Sequence, residues 1–199
     1  MARTGRRPGA SGTREAILDA ARERFAERGL AGTSVRAVAA RAGVDPALVH
    51  HYFGTKGGLF AAAMELPFDP GAVVPALVEP GLDGLGERLV RFFLRVWDEP
   101  APRARLQAIL RSALTEDAAA ALLREFVTRE ILGRVAAAVD APDGPLRASL
   151  VGTQLVGLGV LRYIVRIEPL ASADSETVIA AIAPTLQRYI TGPLAPAGA

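Results

Sequence analysis

The chain predicts an all-α fold, a three-helix head with a helix-turn-helix followed by a helical body, about nine helices in all. Three observations carry this prediction. Apolar residues recur at three- and four-residue steps through successive segments, and no stretch reads convincingly as a strand. Half of the 199 residues are hydrophobic but only 6% are aromatic, so small and branched aliphatic side chains must build most of the core. Glycines and prolines cluster between the periodic segments, where they end helices.

Residues 1–10 read as a flexible basic arm. Thr13 to Arg28 reads as an amphipathic helix in which Ile17, Ala21 and Phe25 stack at four-residue steps, ended by Gly29. Two short helices follow, roughly 33–42 and 45–53. Thr33 is the expected N-cap of the first, because a hydroxyl there accepts from a free backbone N–H. Val35, Val38 and Ala39 share one face, and Gly43 suits the turn, where a left-handed backbone costs glycine little. Asp45 then Pro46 restarts the chain as a helix, with an N-cap followed by proline at the first helical position. The second helix turns Val49 and Phe53 inward and Pro46, Ala47, His50 and His51 outward. Ala39 is small where two helices cross, and Val49 fills the angle between them. That spacing is a steric requirement of a DNA-reading helix-turn-helix.

Thr55 opens a fourth helix to about Leu66, with Leu59, Phe60 and Ala63 inward. Gly57-Gly58 near its start raises the entropic cost of helix formation by roughly 1 kcal/mol each relative to alanine, which predicts a soft joint between head and body. Pro67, Pro70, Pro75 and Pro80 punctuate a segment that cannot be a long helix and is the expected seam. Body helices are expected over 84–98, 103–114, 117–139, 146–167 and 174–189, with breaks at Pro142-Asp-Gly-Pro145 and Glu168-Pro169. The tail from Gly192 reads as disordered. The expected division is an arm (1–10), a DNA-binding head (11–56), an effector-binding and dimerisation body (57–190) and a tail (191–199).

A net charge of +2 conceals an asymmetry. Residues 1–56 hold ten Lys/Arg against five Asp/Glu, and the remainder holds thirteen against sixteen. A basic head on a mildly acidic body suits a polyanion-binding role. There is no cysteine, hence neither disulfide nor thiol chemistry, and a reducing compartment is comfortable. The N-terminus lacks the apolar run of a signal peptide, and the longest uncharged stretch of the C-terminal half, Ala148–Leu161, is too short to span a bilayer. A cytoplasmic protein with no membrane partner is expected. Catalysis is not. The only two histidines, His50 and His51, are adjacent and point about 100° apart on a helix, so they do not converge on a metal. No phosphate-cradling glycine loop follows a strand, and Asp98-Glu99 reads as a surface helix end. No cofactor and no metal site are expected.

The residues also carry a resemblance. Thr13-Arg-Glu-Ala-Ile-Leu-Asp-Ala-Ala-Arg-Glu-Arg-Phe-Ala-Glu-Arg-Gly29, Thr33-Ser-Val-Arg-Ala-Val-Ala39, Ala42-Gly-Val44, His51-Tyr-Phe-Gly-Thr-Lys56 and Leu59-Phe60 together resemble the DNA-binding head of the TetR family of transcriptional regulators. The match covers about the first 60 residues. The ending, Arg162-Tyr-Ile-Val-Arg-Ile-Glu-Pro-Leu-Ala171 with Ala183-Pro-Thr-Leu-Gln-Arg-Tyr189, resembles one branch of these regulators. The resemblance implies a homodimer whose two heads reach successive major grooves of a palindromic double-stranded operator, with a small-effector pocket in each body. It places Pro46, Ala47 and His50 at base edges, and Thr33, Ser34, Arg36, His51, Tyr52 and Lys56 at phosphates. His50 departs from the family, which most often has tyrosine there. Arg3, Arg6 and Arg7 lack nearby acids, so they suit either the DNA backbone or minor groove or a solvated tail.

For the implied pocket, Phe92, Phe93, Val96 and Trp97 concentrate large apolar groups in a helix apolar on more than one side, with Phe126 facing them. Gln107 and Gln154 are the expected polar contacts, with Thr153 beside them and Arg162 a weaker candidate. Any one apolar member reads more readily as plain core than as pocket lining. Few charges lie in these stretches, so a mainly hydrophobic effector is expected. Gly152, Gly157 and Gly159, with Val178, Ile179, Ile182, Leu186 and Ile190, suggest a dimer interface through the last two helices, a monomeric core being the alternative. The preferred reading is a ligand-released transcriptional repressor. The alternative is an all-helical carrier or enzyme with an incidental helix-turn-helix.

Overall fold

The computed structural model describes residues 10–194, and the arm residues 1–9 with Arg3, Arg6 and Arg7, and the tail residues 195–199, lie outside the described residues. Among the described residues there are ten helices and no strand. The head contains α1 (Ala10–Arg28), α2 (Val35–Ala42), α3 (Pro46–Phe53) and α4 (Lys56–Ala63). The body contains α5 (Pro70–Val78), α6 (Leu85–Asp98) and α7 (Pro100–Thr115). Next comes α8, which runs from Asp117–Phe126 through a π-helical segment, Val127–Leu132, into Gly133–Val139. Then α9 (Gly144–Gly159) ends in a second π-helical segment, Val160–Ile164, and α10 (Ser175–Thr191) closes the chain.

Side-chain caps start five of these helices. Ser34, Asp45, Thr55, Asp69 and Asp174 each accept from a backbone N–H two or three residues on, at 2.7–3.1 Å. The capping of α2 corrects one expectation: the cap is Ser34, one residue past Thr33. The proline-rich seam also differs from its expectation, since it folds as α5. Pro70 occupies the first turn, where its missing N–H costs nothing, and Asp69 caps it, leaving Pro75 to interrupt only one intrahelical bond.

Two main cores divide the molecule. The head core holds Ile17, Ala21, Phe25, Leu30, Val38, Ala39, Val49, Leu59 and Phe60, and it also takes in Phe126 of α8. It therefore runs past residue 56, through α4, and borrows a side chain from the body. The body core joins α6, α9 and α10 through Leu85, Val90, Leu94, Val151, Leu158, Val178, Ile179, Leu186 and Ile190. A small third cluster, Val74, Val135 and Ala148, ties α5, α8 and α9 together.

Three further expectations change. Helix α6 is amphipathic: Glu87, Arg91, Arg95 and Asp98 form an exposed stripe opposite its buried Leu85, Val90, Leu94 and Trp97. Val178, Ile179, Leu186 and Ile190 are consumed by the protomer's own core against α6, so they are unavailable to a second chain. Gly57 and Gly58 are closely packed where a soft joint was expected. Both are buried, and a Cβ on Gly57 would lie 2.3 Å from Glu130 Oε2, while one on Gly58 would lie 2.3 Å from the Phe53 carbonyl oxygen. At Gly58 a backbone oxygen stands where a Cβ would go, whereas at Gly57 the obstacle is the movable end of a side chain.

Candidate nucleic-acid interface

Helices α2 and α3 meet through Val38, Ala39 and Val49, all buried, with Gly43 at φ 68° making the turn and donating its N–H to carbonyls of α2. The crossing therefore rests on the small Ala39 and the wedge Val49. It leaves Ala47, His50 and His51 exposed on α3, with Pro46 and Tyr52 half-buried at its edges. His51 and Tyr52 rings contact edge to face, 5.4 Å apart. Arg36 and Ser34 are exposed at the start of α2.

The loop before α2 is held from three sides. The Thr33 hydroxyl, on a side chain only 2% exposed, lies 2.9 Å from the Arg24 carbonyl and 2.8 Å from that of Gly29. Thr33 is therefore no phosphate ligand, since its single hydroxyl proton is committed inside the head. The Lys56 ammonium donates to the carbonyls of Leu30 (2.9 Å) and Thr33 (3.1 Å). It is a part-buried strut instead of an outward cation, although an ammonium has a third proton to offer. From the body, the Glu125 carboxylate accepts from the N–H groups of Leu30 (2.8 Å) and Ala31 (2.7 Å). Replacing Thr33 with valine removes the hydroxyl hydrogen bond that ties this loop to the end of α1 and is expected to cost about 1–2 kcal/mol of stability. Urea denaturation measures this, and the salt dependence of any polyanion binding should stay unchanged in the folded variant.

Charge is sorted within the head. Every acid of α1 has an arginine partner: Glu15 and Asp19 with Arg22, Glu23 with Arg41, and Glu27 with Arg24 and Arg41. Arg28 and Arg36 enter no ion pair with the described residues, and α3 past its Asp45 cap carries no carboxylate. The surface around α2 and α3 is thus left with unpaired cations and with acids already neutralised.

The residues expected to line a pocket do not all converge. Phe126 is in the head core, stacked on Phe60 of α4 at 4.7 Å, with Leu122, Val127 and Ile131 of α8 packed against the same core. Phe92 meets Phe68 edge to face at 5.3 Å with Arg95 over its ring. Phe93 and Trp97 lie together against α9, where Gly159 gives them room and Trp97 stacks on Tyr163 at 5.3 Å. Val96, Gln107 and Gln154 are half-buried, and Gln107 reaches the Tyr163 carbonyl at 3.4 Å. Thr153 is exposed and bonded back to its own helix, and Arg162 is buried on the carbonyls of Leu170 and Ala173. Two clefts are described, one of about 360 Å³ between α6 and α10 and one of about 530 Å³ between α1, α4, residues 65–69 and Arg105 of α7. None of the seven expected pocket residues lines either. Asp98 accepts from the Tyr163 hydroxyl at 2.7 Å and from Ser175, pinning the start of α10. Burial, with the bond to Asp98 second, pushes the Tyr163 hydroxyl up to about 12, so it stays a donor.

Two of these roles escaped the sequence. Nothing local marks Glu125, because its partners lie more than 90 residues away. Lys56 did carry a signal: it is the one lysine among 23 basic residues, and a compact ammonium suits two converging carbonyls better than a planar guanidinium does.

Comparison with known proteins gives matches at both ends of the chain. Residues 17–63 match the family of bacterial regulatory proteins, tetR family, and residues 83–190 match a tetracyclin repressor-like C-terminal domain. An HTH-type transcriptional repressor of Mycobacterium tuberculosis is 52% identical over 50 residues, 25% of this chain and 27% of that protein. The regulator BetI of Brucella anthropi is 45% identical over 51 residues, 26% of each. The chain thus aligns with about a quarter of the length of these curated relatives. A crystal structure of a TetR-family regulator from Streptomyces coelicolor is 43% identical, with 94% of this chain and 99% of that one covered and a TM-score of 0.47.

Proposed function

Because the chain belongs to the tetR family of bacterial regulatory proteins, we propose that it is a transcriptional repressor that binds a palindromic operator as a homodimer and is released by a small, mainly hydrophobic effector. The observation that carries this reading is the outward face of α2 and α3. It presents Ala47, His50 and His51 with the unpaired Arg36, while the acids of α1 are held by arginines. A helix lying in a major groove needs such a face, free of negative charge and small enough to approach base edges. In this reading Ser34, Arg36, His51 and Tyr52 serve phosphates, and Pro46, Ala47 and His50 serve bases. The head spans 11–56 with α4 attached, and the body to residue 190 dimerises and senses.

Support for the dimer comes from α9 and the turn after it. Leu146, Val156, Leu161, Ile164, Val165 and Ile167 are 41–57% exposed, and a Cβ on Gly157 would meet nothing within 4 Å. That open face suits close approach by a second α9. Support for the effector comes from α7. None of its residues is buried, and its half-buried Leu106, Ile109 and Leu110 join none of the three cores. Apolar side chains without core partners, on the helix that also carries Gln107, are what an apolar ligand would cover. No helix among the described residues is long and apolar enough to cross a membrane.

Titration of a selected operator with the full chain tests the reading. Affinity is expected to fall with salt, as phosphate contacts release counterions. Arg36→Ala should weaken binding evenly across sequences and reduce the salt slope by about 1. Sedimentation should find two protomers for each operator. Binding without sequence preference, or without salt dependence, sinks the proposal.

A further inference from the structure

The DNA-facing side chain that departs from its family, His50, has its ring chemistry set by its own helix end. Its Nδ1 lies 2.9 Å from the Gly54 carbonyl oxygen. A carbonyl only accepts, so Nδ1 carries the proton, and in the neutral ring Nε2 holds a bare lone pair. The contact is reciprocal, because the Gly54 N–H donates to the His50 carbonyl at 2.8 Å. Gly54 sits at φ 66°, ψ −74°, a backbone that L side chains rarely adopt, and this conformation aims its carbonyl at the His50 ring. His50 itself is exposed, which leaves Nε2 as the atom it offers outward.

We propose that His50 is a specificity-determining residue that reads DNA as a hydrogen-bond acceptor. Nε2 selects a base with an amino donor in the major groove, adenine through N6 or cytosine through N4. It disfavours guanine and thymine, whose groove edges at that point offer acceptors or a methyl group. The tyrosine usual in the family would bring a hydroxyl able to donate as well as accept. The bare imidazole nitrogen cannot donate, so the discrimination is sharper and of one sign. Gly54 is the positioning residue, acting through the ring it holds. This inference rests on the reading of the chain as a DNA-binding regulator.

The test is selection of binding sites from a random double-stranded library by the full chain at pH 8, above the range in which histidine ordinarily charges. His50→Phe, His50→Arg and Gly54→Ala are run beside it. The expected wild-type motif is a palindrome with one contacted base pair in each half-site at which removing the amino group (purine for adenine, 2-pyrimidinone for cytosine) weakens binding about tenfold. His50→Phe should lose about tenfold in affinity and flatten that position alone. His50→Arg, which only donates, should convert it to guanine, and Gly54→Ala should blur it while leaving the rest of the motif intact. Nitrogen-15 spectra of the free protein should show His50 Nε2 unprotonated at the same pH. Weakening on removal of the purine N7 at that base pair (7-deazapurine), with none on removal of the amino group, overturns the proposal, as does a protonated Nε2. A motif unchanged at every position by His50→Phe overturns it while leaving the regulator reading intact. No enriched motif from folded wild-type chain overturns both.

Discussion

Truncating Phe126 to alanine is expected to destabilise the protein by about 3–5 kcal/mol, the range for removing a buried aromatic ring from a packed core. Phe126 is 1% exposed and stacks on Phe60, which meets Phe25 edge to face at 5.0 Å. The three rings come from α8, α4 and α1, so the cavity would open where the body enters the head. The neighbouring Glu125 holds the N–H groups of Leu30 and Ala31, and that grip depends on α8 staying seated. Loss of the ring should therefore also loosen the loop that leads into α2. Urea denaturation gives the stability, and hydrogen exchange at Leu30 and Ala31 gives the loop. Phe92→Ala is the comparison, because Phe92 is only half-buried and touches Phe68 at the surface of α6. If both variants lose the same small amount, α8 is not a structural part of the head core.

That ring also marks the limit of what could be read from the chain. Helix periods and caps are local, so α1, α3, α4, α6 and α10 are legible to within a few residues, and so is the inward turn of Val49 and Phe53. The exposure of Ala47, His50 and His51 was legible for the same reason, as they lie within one compact motif. Phe126 and Phe92 look alike in sequence, two aromatics in helical segments, and only the long-range packing of α8 on α4 separates them. Thr33 failed differently. Its neighbour Ser34 has the same capping chemistry, and the choice between them depends on whether the loop turns the threonine inward, where its methyl group is buried and its hydroxyl finds Arg24 and Gly29. Val178, Ile179, Leu186 and Ile190 were not legible as protomer core because α10 spends its apolar face on α6, a pairing that periodicity cannot assign.

Gly58→Ala is expected to destabilise by about 3 kcal/mol, the upper part of the range for forcing a methyl group into filled space. The obstacle is the Phe53 carbonyl oxygen, 2.3 Å from the new Cβ, and a backbone atom at the end of α3 cannot swing aside. Alanine's better helix propensity returns only about 1 kcal/mol. Gly57→Ala is the instructive contrast. Its Cβ would also sit 2.3 Å from a neighbour, but that neighbour is the Glu130 carboxylate, the movable end of a side chain. Glu130 can yield by giving up its 2.8 Å pairing with Arg134, a contact between partly buried groups. The gain in propensity then offsets most of the loss, and Gly57→Ala should melt close to wild type. A soft joint predicts the reverse pattern, with both alanines stabilising the helix by similar amounts and changing mainly the freedom of the head. Thermal unfolding of the two single variants separates these outcomes, and equal stabilisation would show that α4 has room the close contacts deny. The ranking follows from which atom stands in the way: main chain in front of Gly58, a carboxylate that can turn in front of Gly57.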